Sequence, residues 1–250
     1  MNARFYAPQA EASGGVVALP DDEGQHLARV LRLKAGASIR IFNGRGREFD
    51  ALVERVGRRC VEVRVGAPVA APSPEPGVAV TLALAVLKHE NMDEAIRNAV
   101  MMGVAAIQPI VAARSETTLA ALQRGKRHDR WSRIAVSAAK QCGRATVPAI
   151  LEPWPFDALP AALSRFAVPG PGLMFVEPAA SADAIALGDL DPTPPRETTI
   201  VTGPEGGWTR EEVEQASTAC RFVTLGRLTM RAAAMPTVAM AALLTLWREM

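Results

Sequence analysis

The sequence predicts an α/β protein in two parts: a small, mostly β unit over residues 1–72, then a mostly parallel sheet with helices on both faces over residues 73–250. Three observations carry this. Ala67–Gly77 (APVAAPSPEPG) is so rich in proline that it lacks the backbone donors and φ freedom of helices and central strands, and reads as a linker. Before it, short segments alternate apolar and polar residues with the period of a half-buried strand. After it, strand-like and helix-like segments alternate, the rhythm of a parallel sheet covered by helices.

In chain order, His26–Leu33 (HLARVLRL) reads as a short helix, and SIRIFN (38–43) and EFDALV (48–53) as strands either side of Asn43-Gly44-Arg45-Gly46. Asn-Gly suits a tight hairpin turn because both residues tolerate positive φ. CVEVRV (60–65) alternates strictly, and the unit is expected to be a barrel. Beyond the linker, VAVTLALAVL (78–87) is a continuous apolar run, as in a strand buried on both faces. Glu90–Met102 is a helix stopped by Gly103, Ala105–Ala112 a strand, Lys126–Gln141 a helix and Gly172–Val176 a strand. Pro192–Pro195 breaks the chain, and strand 198–201, helix 209–219, strand 222–225 and a final helix reaching Met250 complete it.

Composition bounds the function. Of 250 residues, 49% are hydrophobic and 22% charged, enough for a full-sized core. No apolar run approaches the roughly 18 residues of a membrane span, and the polar start, broken by Pro8, is unlike a secretory signal. A cytoplasmic protein without membrane partners is expected. Cys60, Cys142 and Cys220 are odd in number and far apart, which fits reduced thiols better than disulfides or zinc. The net charge of +2 announces no polyanion partner, but seven of the residues from Arg124 to Arg144 are basic and only Asp129 is acidic. Such a stripe is either an electrostatic footprint for phosphates or a solvated helix face.

Chemistry concentrates at two strand-to-helix junctions. Thr202-Gly203-Pro204-Glu205-Gly206-Gly207-Trp208 lets backbone approach a ligand closely, and Leu225-Gly226-Arg227-Leu228-Thr229-Met230-Arg231 also precedes a helix. Two such loops suggest one pocket; a glycine-rich turn that merely caps a helix is the plainer alternative. Neither GxGxxG nor GxxxxGK[ST] is present, so the usual dinucleotide and triphosphate devices are missing. His26, His89 and His128 lack metal-ligand spacing, and no serine, histidine and acid form a hydrolase set.

These segments together resemble the RsmE family, 16S rRNA uridine-N3 methyltransferases of the SPOUT class. The resemblance rests on Arg4-Phe5-Tyr6, His26-Leu27, Val30-Leu31-Arg32, Gly36, Phe42-Asn43-Gly44-Arg45-Gly46, Met102-Gly103-Val104, Gln141-Cys142-Gly143-Arg144, Thr202–Gly207, and Leu225-Gly226 with Arg231. It implies a PUA-like RNA-binding β-barrel, then a SPOUT methyltransferase domain with a C-terminal trefoil knot, in a homodimer without metal. It further implies S-adenosylmethionine held by Thr202, Gly203, Pro204, Glu205, Gly206, Gly207, Leu225, Gly226, Leu228, Thr229 and Met230, with Val176 and Glu177 as a third contact. The partner it implies is 16S rRNA in the small ribosomal subunit, for which Arg29, Arg32, Arg45, Arg47, Arg114, Arg130, Arg133 and Arg144 are the expected contacts.

The chain also departs from the family pattern. After the second loop it reads Arg231-Ala232-Ala233-Ala234, so Ala233 replaces the customary carboxylate, and in the first helix Asn98 and Met102 stand where the family commonly has a lysine and a glutamate. Uracil N3 carries a proton, so methylation needs a base or a cation that stabilises the developing anion. Arg231 is the candidate cation and hence the catalytic residue; Glu205 and Glu177 remain possible bases. Two rivals stay open: a SPOUT-fold RNA-binding protein that has lost catalysis, and a methyltransferase acting on another RNA nucleotide.

Overall fold

A computed structural model describes residues 3–58, 60–165, 172–178, 180–181 and 183–250. The contacts divide the chain into two compact units, one of residues 1–75 with 136–147, the other of residues 76–135 with 148–250.

The first unit contains β1 (Arg4–Tyr6), β2 (Val16–Ala18), α1 (Asp21–Gln25), a π-helical turn (His26–Val30), β3 (Ser38–Phe42), β4 (Glu48–Val56) and β5 (Val61–Val69). Its five strands run in the order β1-β3-β4-β5-β2, so β1 and β2 are edges and the sheet is an open half-barrel. Period two does the folding here. Val61, Val63 and Val65 are buried with Phe49, Ala51 and Val53, while Asp50, Glu54 and Arg64 face out. Phe5, Leu27, Ile39 and Ile41 fill the remaining core. The expected linker begins late, because β5 continues through Pro68, which pairs with Phe49. Proline is tolerated there because β2 covers only Glu62–Arg64, leaving the far side of Pro68 at an edge.

The expected turn at Asn43 forms through its side chain. Gly44 and Gly46 take φ of 76° and 85°, whereas Asn43 is buried and its Oδ1 accepts from the N–H of Arg45 at 2.8 Å and of Arg47 at 3.1 Å. Ionic contacts hold the rest. Arg4 donates to the buried Glu48 carboxylate at 2.9 Å and to the carbonyls of Ala139, Lys140 and Arg144.

The second unit contains β6 (Ala79–Ala85), α2 (His89–Met101), β7 (Ala106–Val111), α3 (Leu119–Arg124), the first residues of α4 (Arg127–Cys142), β8 (Ala149–Ile150), β9 (Trp154–Pro155), α5 (Ala158–Arg165), β10 (Gly172–Phe175), β11 (Ile185–Ala186), β12 (Glu197–Thr202), α6 (Arg210–Ala216), β13 (Cys220–Thr224) and α7 (Met235–Leu246). All its strand pairs are parallel, in the order β11-β13-β10-β12-β6-β7-β8, with β9 also on β7. The apolar run of β6 is the centre, Leu82–Ala85 being fully buried. From β6 the chain builds outward through β7 to β8, then returns to build the other side. The order therefore reverses between β6 and β12, where open parallel sheets carry their ligands, outside the carboxyl ends of the strands.

The cap at Gly103 forms as expected. Its N–H bonds Val100 O, the Val104 N–H reaches Ala99 O, and φ is 90°. A Cβ there would lie 2.4 Å from the Pro76 ring. The last helix ends at Leu246 rather than Met250, and Pro236 sits in its first turn, where a missing N–H costs nothing. The short elements β1, β2, α1, β8, β9, α3, α5 and β11 are additions to the sequence-based reading.

Candidate functional site

A cavity of about 970 Å³ opens at the point where the strand order reverses. One side is the loop after β12, Gly203–Trp208; another is the loop Thr229–Ala234 leading into α7; a third is the start of α2, with Lys88, Asn91, Glu94 and Asn98; Phe175–Glu177 at the end of β10 closes it. The volume suits a nucleoside-sized ligand, and two sides offer mostly backbone groups.

The Gly203–Trp208 loop is held from three directions. Trp208 Nε1 donates to Phe175 O at 3.0 Å, and its ring lies 5.2 Å from that of Phe156. A Cβ on Gly203 would lie 3.0 Å from the Trp208 ring, so a larger residue there would press on the indole. Arg114 Nη1 donates to Gly206 O at 2.8 Å. Arg114 is itself placed by Glu212, whose Oε1 accepts from the Ala113 N–H at 2.7 Å while its carboxylate completes a capping box with Thr209 at the start of α6. Glu205 Oε1 accepts from the Lys88 N–H and from Asn91 Nδ2, both at 3.0 Å, and so caps α2 from outside. Burial alone would raise the Glu205 carboxyl, but the hydrogen bonds from Asn91 and Lys88, with the Lys88 charge, outweigh it and hold the group below the usual carboxylate range. Lys88 Nζ pairs with Glu116 at 2.5 Å, which raises the ammonium.

The other side is different. Among the described residues, the side chains of residues 225–234 make no hydrogen bond or ion pair, and its end is fixed by backbone bonds, from the Ala234 and Met235 N–H groups to Arg231 O and from the Val238 N–H to Ala234 O. Arg231 lines the cavity and is exposed, and Ala232–Ala234 add no ionisable group. At the start of α7, Thr237 Oγ1 is buried, lines the cavity and has no partner among the described residues. Glu94 and Glu177 are cavity carboxylates without a hydrogen bond or ion pair among the described residues.

Of the expected site residues, the cavity collects Val176, Glu177, Gly203, Pro204, Glu205, Gly206, Gly207, Thr229, Met230 and Arg231. Thr202 lies fully buried behind it; Leu225, Gly226 and the exposed Leu228 lie outside its lining. Arg114, expected at RNA, is in the cavity wall against Gly206. Arg144 is not offered to a phosphate: its side chain is 4% exposed and its guanidinium grips Glu75 at 2.5 Å. Arg130 is exposed and paired with Asp93; Arg133 is exposed beside Asp129 O. Arg29 and Arg32 are exposed, while Arg45 meets the Glu11 carboxylate at 3.3 Å and Arg47 donates to the Glu11 carbonyl at 2.8 Å. Sequence reasoning missed Lys88, Asn91, Glu94 and Thr237 as cavity residues; only Lys88-His89-Glu90-Asn91, polar directly after an apolar strand, was a usable signal.

Comparison with known proteins is in accord with this geometry. A family model described as an RNA methyltransferase domain matches residues 74–244, and one described as an RNA methyltransferase PUA domain matches residues 19–66. The chain is 30% identical over 226 residues to the ribosomal RNA small subunit methyltransferase E of Synechocystis, covering 90% of this chain and 71% of that one. With the Mycobacterium tuberculosis protein of that name it shares 28% over 239 residues, 95% and 89% of the two chains. Among solved structures, the ribosomal RNA small subunit methyltransferase E of Neisseria gonorrhoeae bound to S-adenosylmethionine is 31% identical, with a TM-score of 0.86 over 99% of this chain and 98% of that one. A Legionella pneumophila protein in complex with the same cofactor is 27% identical, with a TM-score of 0.86 over 98% of both chains.

Proposed function

The chain belongs to the RsmE family of RNA methyltransferases with a PUA domain, and from that premise we propose that it transfers a methyl group from S-adenosylmethionine to N3 of a uridine in 16S rRNA of the small ribosomal subunit. The observation that carries this reading is the meeting of the Gly203–Gly207 loop and Arg231 on one cavity. Residues 1–72 are taken as the RNA-binding domain and 73–250 as the knotted methyltransferase domain, working as a homodimer. Sedimentation at micromolar concentration tests the last point, and a monomer there rejects it.

The residues fit the cofactor. The cavity has room for it, glycine-rich backbone suits a purine edge, the unpartnered Thr237 hydroxyl is open to a ligand, and Glu94 and Glu177 suit a cationic ligand. Gly203–Gly207, Val176 and Met230 would hold it. When bound, it supplies a methyl group on a sulfonium that departs as a neutral thioether. The chain's own residues must align the uracil with that methyl and manage the N3 proton. Arg231, permanently charged and without a competing partner among the described residues, stabilises the anion developing on the uracil oxygens. Glu205 is occupied by α2, which leaves Glu94 or Glu177 to take the proton.

One observation favours a second reading. The wall at Ala232–Ala234 offers no carboxylate, as expected of an RNA-binding protein that has lost catalysis. The deciding experiment follows labelled methyl from the cofactor into unmethylated small subunits, with the modified base identified by mass spectrometry. Label on uridine N3 is expected; salt-sensitive subunit binding without label supports the second reading, and label on another base changes the target.

A further inference from the structure

We propose that Glu205 is a positioning residue: by capping α2 from outside it fixes the backbone of the Gly206-Gly207 turn that faces the cavity, and it takes no proton from the substrate. The inference rests on the reading of the cavity as a cofactor site. Three features carry it. Glu205 Oε1 accepts two hydrogen bonds of 3.0 Å, from the Lys88 N–H and Asn91 Nδ2, both at the start of α2. The Lys88 N–H precedes the first helical residue and, among the described residues, is bonded only by this carboxylate; Lys88 is also where the chain leaves β6, on the other side of the reversal. The next carbonyl along the loop, Gly206 O, is held by Arg114 from the end of β7. Consecutive residues are thus fastened to the chain following two different strands, and the Gly207 N–H closes the turn on Pro204 O at 3.0 Å. A carboxylate so engaged is held ionised by its donors and is a poor proton acceptor, because accepting a proton would weaken both bonds.

The test uses the full chain with Glu205→Ala, Glu205→Gln and Asn91→Ala. Titration calorimetry with S-adenosylmethionine and S-adenosylhomocysteine, turnover at saturating cofactor, and amide exchange at Gly207 in the unliganded protein are read together. Glu205→Ala should weaken cofactor binding about tenfold to thirtyfold, Asn91→Ala about threefold, and Glu205→Gln, which keeps the accepting oxygen, less than threefold. Turnover at saturation should stay within about threefold in all, and Gly207 exchange should quicken about tenfold in Glu205→Ala alone. A hundredfold loss of turnover in Glu205→Gln with intact binding would make Glu205 the base and overturn the proposal. Unchanged Gly207 exchange in Glu205→Ala would also overturn it, even in a protein that binds no cofactor, an outcome that would separately sink the reading of the cavity. Melting temperatures guard against general unfolding.

Discussion

The two loops that flank the cavity are built on opposite plans. Gly203–Trp208 is fastened by Glu205, Arg114 and the Trp208 indole, each bond ending on a different element. The stretch from Leu225 to Ala234 has no comparable side-chain anchor among the described residues, and Leu228 at its crest is 81% exposed. One loop is shaped before any ligand arrives; the other carries the only arginine of the pair that faces the cavity unengaged. A preorganised surface suits recognition of a constant molecule, while a loosely held cation can adjust to a large RNA.

The contrast can be broken by mutation. The largest effect is expected for Arg231→Ala: methyl transfer into small subunits should fall by about a hundredfold or more while cofactor affinity, by calorimetry, moves less than threefold. A comparable loss of affinity would place Arg231 in cofactor binding instead. Next come two glycines, one in each loop. A Cβ at Gly206 would lie 2.8 Å from Arg114 Cβ, so Gly206→Ala must displace the fastened loop and weaken cofactor binding about tenfold. Gly226→Ala meets nothing within 4 Å and strains only its own φ of 72°, so affinity should change less than threefold, at a stability cost of about 1 kcal/mol. Equal effects on binding would end the distinction between the loops.

Acid offers a gentler probe. The Glu205 carboxyl is held low in the folded protein, so its bonds to α2 are present above the ordinary carboxylate range and disappear as pH falls through the lowered value. Cofactor affinity should therefore be level from pH 8 to about pH 5 and decline only below about pH 4, by calorimetry in matched buffers. Lys88, raised by Glu116, stays charged throughout and adds no transition of its own. The smallest effect is Thr209→Ala, which removes half of the capping box below the fastened loop: about 1 kcal/mol, or a melting point lower by some 2–4 °C, without change in turnover.

What could be read from the sequence was whatever depends on near neighbours. Period two placed Val61–Val65, the apolar run placed β6, Gly103 marked the end of α2, and the two glycine loops pointed to one pocket. What could not be read depends on distant partners. Arg114 and Arg144 look like solvent-facing arginines until Gly206, 92 residues away, and Glu75, 69 away, claim them. Glu205 could be base or brace until Lys88 and Asn91 came beside it. Strands of two residues, such as β8 and β9, are too short to show any period.

The reversal of strand order also governs when the molecule can be made. Val80 pairs with Thr198, more than a hundred residues later, and the cavity takes residues as late as Val238. During synthesis β6 and α2 emerge early, with their future neighbours still to be translated, and their closing contacts span most of the chain. A chain halted before β12 has half of its sheet and no cavity at all. Cofactor recognition therefore waits until residues as far along as Val238 have been joined to β6 and α2.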